Sequence, residues 1–149
     1  AINAAPLVGH STLRCSTMDN LDRQAKREEI ETMRAQLRSS LHAGAIGFST
    51  GLAYAPNQAA TPDEVAALAG ELQEFGGIYA THIRDEGDQL FGALEESFVT
   101  ARCAGCSVVL THHKCASPKM WCRSAESLAR IDAAAEHPPV CLVLFPYTS

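Results

Sequence analysis

The sequence predicts an α/β fold built from parallel βα units, and three observations carry that prediction. Short apolar runs alternate with longer amphipathic segments. The runs recur at roughly 30 to 40 residues, the length of a βα unit. The amphipathic segments are bounded by residues that start and stop helices.

Five strands are predicted, over residues 6–10, 45–49, 77–82, 107–112 and 140–145. A first helix over 24–42 sets Ile30, Met33, Leu37 and Leu41 at helical spacing and is stopped by Gly44. Thr61-Pro62-Asp63-Glu64 reads as a capping box, with Thr61 as N-cap and Pro62 in the first helical position; this helix extends to about residue 75, where Gly76-Gly77 ends it. Leu90, Leu94, Phe98 and Ala101 form the stripe of a third helix, closed by Gly105, and residues 124–136 make a fourth. The segment from Tyr54 to Asn57 is expected to be loop.

A βαβα order gives a parallel sheet with right-handed crossovers, either open and doubly wound or closed as a (β/α)₈ barrel. A closed barrel takes about 250 residues, and five strands leave two unpaired edges. The chain opens on Ala1-Ile2-Asn3 without a methionine and stops just after an apolar run, so both ends are expected to be cuts. Residues 1–149 then form a single partial domain, an arc of about five strands from a TIM-type barrel.

Composition narrows the function classes. The chain is 46% apolar, 19% charged and 6% aromatic, which excludes disorder. Twelve basic against 17 acidic residues give a net charge of −5, and no basic stripe is present, so nucleic acid is not expected as a partner. No run approaches a membrane span. Six cysteines include Cys103-Ala-Gly-Cys106, but the second pair of a zinc ribbon is missing; reduced, mostly buried thiols and a cytoplasmic setting are expected.

The chemistry collects on histidine. His10, His82 and His112 end strand candidates, with His113 next in line. In parallel α/β folds the carboxyl ends of strands share one rim, where active sites lie. Neutral imidazole suits zinc, and two histidines from adjacent strands occupy two corners of its tetrahedron. Alternation puts Val108, Leu110 and His112 on one face and Val109, Thr111 and His113 on the other, so one of the two neighbouring histidines points at a shared centre. His82 and His112 are the best pair. Arg84, Asp85, Glu86 and Asp88 follow His82, and Lys114 follows His113; a cation there suits a substrate carboxylate, and an acid can orient an imidazole. His42 and His137 sit near helix ends, where the helix dipole accounts for them. The spaced glycines of residues 44–52 do not match a dinucleotide fingerprint, although Gly51 suits a close backbone approach to a ligand.

Four segments in this order, Val8-Gly9-His10-Ser11-Thr12-Leu13-Arg14, the run from Gly44 to Tyr54, Tyr79-Ala80-Thr81-His82-Ile83-Arg84-Asp85-Glu86 and Thr111-His112-His113-Lys114, closely resemble the D-aminoacylases, the N-acyl-D-amino-acid deacylases of the amidohydrolase superfamily. The resemblance spans essentially the whole chain. It implies a zinc-dependent hydrolase on a (β/α)₈ barrel that splits small-molecule N-acyl-D-amino acids into a carboxylate and a D-amino acid. It makes His82 and His112 metal ligands, and Lys114, Arg84 and Tyr147 candidates to bind the substrate. The family's His-x-His motif, metal-binding cysteine and catalytic aspartate have no counterpart, so the general base is expected outside these residues and the chain alone is expected to be inactive. Val143 stands where the family carries an acid before its aromatic-Pro-Tyr-Thr segment. The alternative is a non-catalytic α/β binding or self-assembly module derived from such a barrel, associating through exposed sheet edges.

Overall fold

A computed structural model describes residues 2–136 and 138–144. Five strands, β1 (Leu7–Gly9), β2 (Gly47–Gly51), β3 (Ile78–His82), β4 (Ser107–Leu110) and β5 (Val140–Leu142), form one sheet, every neighbouring pair parallel. The strand order is β1-β2-β3-β4-β5. A doubly wound sheet reverses direction at a switch point; this one never does, which is the order of a barrel arc.

The helices are α1 (His10–Thr17), α2 (Arg27–His42), α3 (Ala55–Gln58), α4 (Pro62–Ala69), α5 (Leu90–Ala104) and α6 (Ser124–Ala134), with a 3₁₀ stretch over Gly70–Phe75 continuing α4. Two of them, α1 and α3, fall where the sequence suggested none. The helix predicted over 61–75 changes to 3₁₀ geometry at Gly70. Gly76 and Gly105 close their helices in the left-handed conformation that favours glycine.

Alternation along the strands sorts the two faces. Phe48, Tyr79 and Val108 share one register row and are buried, with Thr50, Thr81 and Leu110 in the next row; this is the face the helices cover. Met33, Leu37 and Leu41 of α2 join Val65 and Leu68 of α4 and Leu94 and Phe98 of α5 in the same core. Each such side chain contributes about 1.5–3 kcal/mol by leaving water. The Thr50 hydroxyl donates to Thr81 Oγ1 at 2.8 Å and lies 3.0 Å from the Tyr79 hydroxyl, so the polar atoms of this layer satisfy one another; burial pushes the Tyr79 phenol up to about 12. On the opposite face Ser49 and Val109 are half-buried and Cys141 is exposed.

The thiols depart from expectation. All six are free, but only Cys106 is buried and Cys115 half-buried, while Cys15, Cys103, Cys122 and Cys141 are exposed. Cys103 is the penultimate residue of α5, and Cys141 lies on the uncovered face of β5. Among the described residues no helix is long and apolar enough to cross a membrane.

Candidate metal centre

His82 is the last residue of β3 and pairs in register with Gly51, the last of β2. β4 stops at Leu110, and Thr111 is tied to Thr81 O by both its backbone N–H and its hydroxyl, each at 3.0 Å. The next residue, His112, has φ of 42°, a left-handed conformation uncommon outside glycine but tolerated by histidine. The turn swings its ring onto His82, so that His82 Nδ1 and His112 Nε2 stand 2.7 Å apart.

Glu86, on the loop after β3, completes the cluster. Its Oε1 lies 3.1 Å from His112 Nδ1 and its Oε2 lies 3.9 Å from His82 Nε2, while Ala116 N donates to the Glu86 carbonyl at 2.8 Å and ties the two loops together. His82, Glu86 and His112 each offer a ligand atom, all within 4.8 Å of one another. Lys114 Nζ also pairs with the Glu86 carboxylate and lies 3.0 Å from His112 Nδ1. With its proton on Nδ1, His112 donates to the Glu86 carboxylate, which also pairs with the Lys114 ammonium, and its Nε2 lone pair faces His82 Nδ1, the atom a metal would share with it. Burial lowers the pKa of His82, with His112 and Lys114 acting in the same sense against Glu86, so its neutral imidazole is favoured.

The donor set suits zinc, which takes imidazole nitrogen and carboxylate oxygen at about 2.0–2.2 Å. Two nitrogens held tetrahedrally at that distance lie about 3.3 Å apart, so His82 Nδ1 and His112 Nε2, at 2.7 Å, have only to part slightly.

Tyr54 packs against His82. Its ring centroid is 4.7 Å from that of His82, and a Cβ on Gly51 would come within 2.6 Å of Tyr54 Cδ2, so Gly51 admits an aromatic ring where the sequence had suggested a ligand. Asn57 anchors this loop by donating to Ser11 Oγ at 2.8 Å and to the Gly51 carbonyl at 3.2 Å.

The other sequence candidates lie elsewhere. His10 does not join the rim. It opens α1, is fully buried, and meets Glu64 of α4 with Nε2 2.8 Å from Oε1. Glu64 accordingly does not return to the cap of α4; only the Thr61 half of the predicted capping box forms, with Thr61 Oγ1 accepting from Glu64 N at 3.2 Å. His113 turns away from His82 towards α6. Arg84 forks onto Glu96 of α5 at 2.7 and 2.8 Å and donates to the carbonyls of Gln58 and Ala60, bracing the loop that bears Tyr54. Tyr147, His137 and the predicted strand end at 145 lie outside the described residues.

No family model matches the chain. It is 44% identical over 149 residues to a D-aminoacylase of Alcaligenes xylosoxydans xylosoxydans, covering 100% of this chain and 31% of the relative. Its backbone superposes with a TM-score of 0.95 on a crystal structure of a D-aminoacylase that defines a novel subset of amidohydrolases, at 44% identity over 99% of this chain and 31% of that one. It superposes with a TM-score of 0.93 on an N-acyl-D-glutamate deacylase of Bordetella bronchiseptica complexed with zinc and a phosphonate mimic of the tetrahedral intermediate, at 41% identity over 98% of this chain and 31% of that one. The chain thus spans about a third of the length of the relatives it matches.

Proposed function

This chain belongs to the D-aminoacylase family of amidohydrolases, and we infer that it supplies half of a zinc centre for hydrolysing the amide bond of N-acyl-D-amino acids. The observation that carries this reading is the convergence of His82 Nδ1 and His112 Nε2 from two strand ends to 2.7 Å, with Glu86 beside them. Zinc bound there supplies Lewis acidity towards the amide carbonyl and the attacking water.

The chain's own residues hold and orient. His82 and His112 present the ring nitrogens. Glu86 fixes the tautomer of His112 by accepting from Nδ1–H. Lys114, half-exposed beside the pair, is placed to hold the substrate's carboxylate, with Tyr147 a further candidate. Arg84 is a weaker partner, since most of its donors are engaged by Glu96 and by loop carbonyls. The proton shuttle to the leaving amine falls to a carboxylate from outside these residues.

Two expectations on setting accompany this reading. Six free thiols suit the cytoplasm. The edges of β1 and β5, each paired on one side among the described residues, would accept a further strand, so association of copies is readable by sedimentation. A purely structural module has no use for two histidines meeting at a strand rim, which is why the hydrolase is preferred.

Zinc titration against a chromogenic chelator tests the centre. Stoichiometric binding lost in both His82→Ala and His112→Ala is expected; wild-type affinity in either variant would refute the assignment. Turnover of N-acetyl-D-methionine and N-acetyl-D-glutamate by the zinc-loaded chain tests the rest, and none is expected from these residues alone.

A further inference from the structure

Two adjacent histidines leave the end of β4 in opposite directions. His112 turns to His82, whereas His113 Nε2 lies 2.9 Å from the hydroxyl of Ser127 on α6. Ser127 is fully buried, and its single hydroxyl proton is directed to the Ser124 carbonyl at 2.9 Å. Its lone pairs therefore face His113, which donates through Nε2–H and keeps Nδ1 as a buried, unpartnered nitrogen among the described residues.

A left-handed residue other than glycine persists only where both flanks determine it. The upstream flank of His112 is fixed by the two bonds of Thr111 to Thr81 O. The downstream flank is held at its backbone by Lys114 Nζ, which donates to the His112 carbonyl at 3.3 Å, and by Ala116 N on the Glu86 carbonyl, and it reaches the helix layer through His113 and its bond to Ser127.

We propose that His113 and Ser127 form a clamp that holds His112 in its left-handed turn and so sets the metal affinity of a centre neither of them touches. The proposal rests on the reading of His82 and His112 as zinc ligands. Both are positioning residues.

The test is zinc affinity, together with the visible spectrum of the cobalt-substituted protein, which reports ligand geometry. Ser127→Ala and His113→Leu are expected to weaken zinc by about tenfold or more and to change the cobalt bands, while the metal-free protein still unfolds cooperatively with its melting temperature lowered by a few degrees. Ser127→Thr, which keeps the hydroxyl, and His113→Gln, which keeps an N–H at similar reach, are expected to restore both readouts. The double variant Ser127→Ala/His113→Leu should bind no more weakly than either single one. Wild-type affinity and spectrum in Ser127→Ala and His113→Leu would overturn the clamp even while His82→Ala and His112→Ala abolish binding. Failure of the wild type to bind zinc would instead remove the centre itself, and the clamp with it. Should Ser127→Ala fail to fold, the contrast between His113→Leu and His113→Gln decides, and equal affinities there would overturn the proposal.

Discussion

Arg14 NH1 stands 2.6 and 2.7 Å from the two carboxylate oxygens of Glu64, and neither side chain is more than 1% exposed. The remaining donors of Arg14 reach the carbonyls of Pro56, Leu21 and Arg23, so one guanidinium joins α1, α3, α4 and the loop before α2. A buried pair is weak evidence of net stabilisation, but removing one partner strands the other charge at a cost of about 3–5 kcal/mol. Glu64→Ala is therefore expected to lower the urea midpoint sharply, with Glu64→Gln in between. A midpoint within error of wild type for Glu64→Ala would show that Arg14 needs no partner.

His10 shares that carboxylate, and its titration gives stability a definite slope. Burial outweighs the pull of Glu64 and lowers the pKa of His10 from an unfolded value of 6.5; burial lowers His82 and His113 as well. Burial also acts to raise Glu64, but His10 and Arg14 outweigh it and hold the carboxyl below its usual 4.5. In each case the unfolded chain binds the extra proton first, so the native state loses ground on acidification. Stability is expected to be level between the unfolded histidine value and the onset of thiol and phenol ionisation in the unfolded chain, and to fall as pH drops through 6 towards 4, with the upper part of the slope reduced in His10→Gln. Urea midpoints at intervals of pH check the sign; a protein more stable at pH 5.5 than at pH 7.5 would contradict it.

The route by which His112 reaches His82 marks the limit of what alternation conveys. Ala80 pairs with Val109, so the face of His82 is that of Val109, Thr111 and His113. Had β4 run on regularly, His113 would be the one to face His82. The strand ends at Leu110 and the left-handed turn at His112 exchanges the two. The family resemblance assigned His112 by motif, and His112 is the residue that meets His82; period two alone did not distinguish it from His113. Helices with a clean apolar stripe and a glycine stop, α2 and α5, were legible within a few residues because burial and capping act locally. By contrast α1 carries buried His10 and Arg14 where a core stripe would be apolar, and its helical state rests on Glu64, 50 residues away from Arg14. Glu86 was visible as an acid four residues beyond His82. Tyr54 was not, since only the pairing of Gly51 with His82 reveals it.

That pairing supports a third prediction. An alanine at residue 51 would bring its Cβ within 2.6 Å of the Tyr54 ring. The ring is 56% exposed and free to swing outward, so Gly51→Ala is expected to change stability by less than about 1 kcal/mol. What it removes is the aromatic neighbour of His82. The ring-current shift on the His82 carbon-bound protons should collapse in the variant and in Tyr54→Ala alike. An unshifted His82 spectrum in Gly51→Ala would mean that the contact tolerates the methyl group.

Substitution of Lys114 tests whether binding separates from chemistry. Its ammonium pairs with Glu86 yet stays half-exposed at the rim, so it keeps donors for a carboxylate arriving from solvent. A hydrogen bond between charged groups is worth about 1.5–3 kcal/mol, which corresponds to roughly 10- to 150-fold in KM. In the active protein that contains these residues, Lys114→Met is expected to raise KM for N-acyl-D-amino acids within that range while kcat changes only a few-fold. The effect should vanish with a substrate whose α-carboxylate is converted to an amide, because the lysine then has no charge to meet. Glu86→Gln makes the opposite split: it disturbs the tautomer of His112 and should weaken zinc rather than raise KM alone. A fall in kcat for Lys114→Met with KM unchanged would transfer the lysine from holding substrate to supporting the metal ligands.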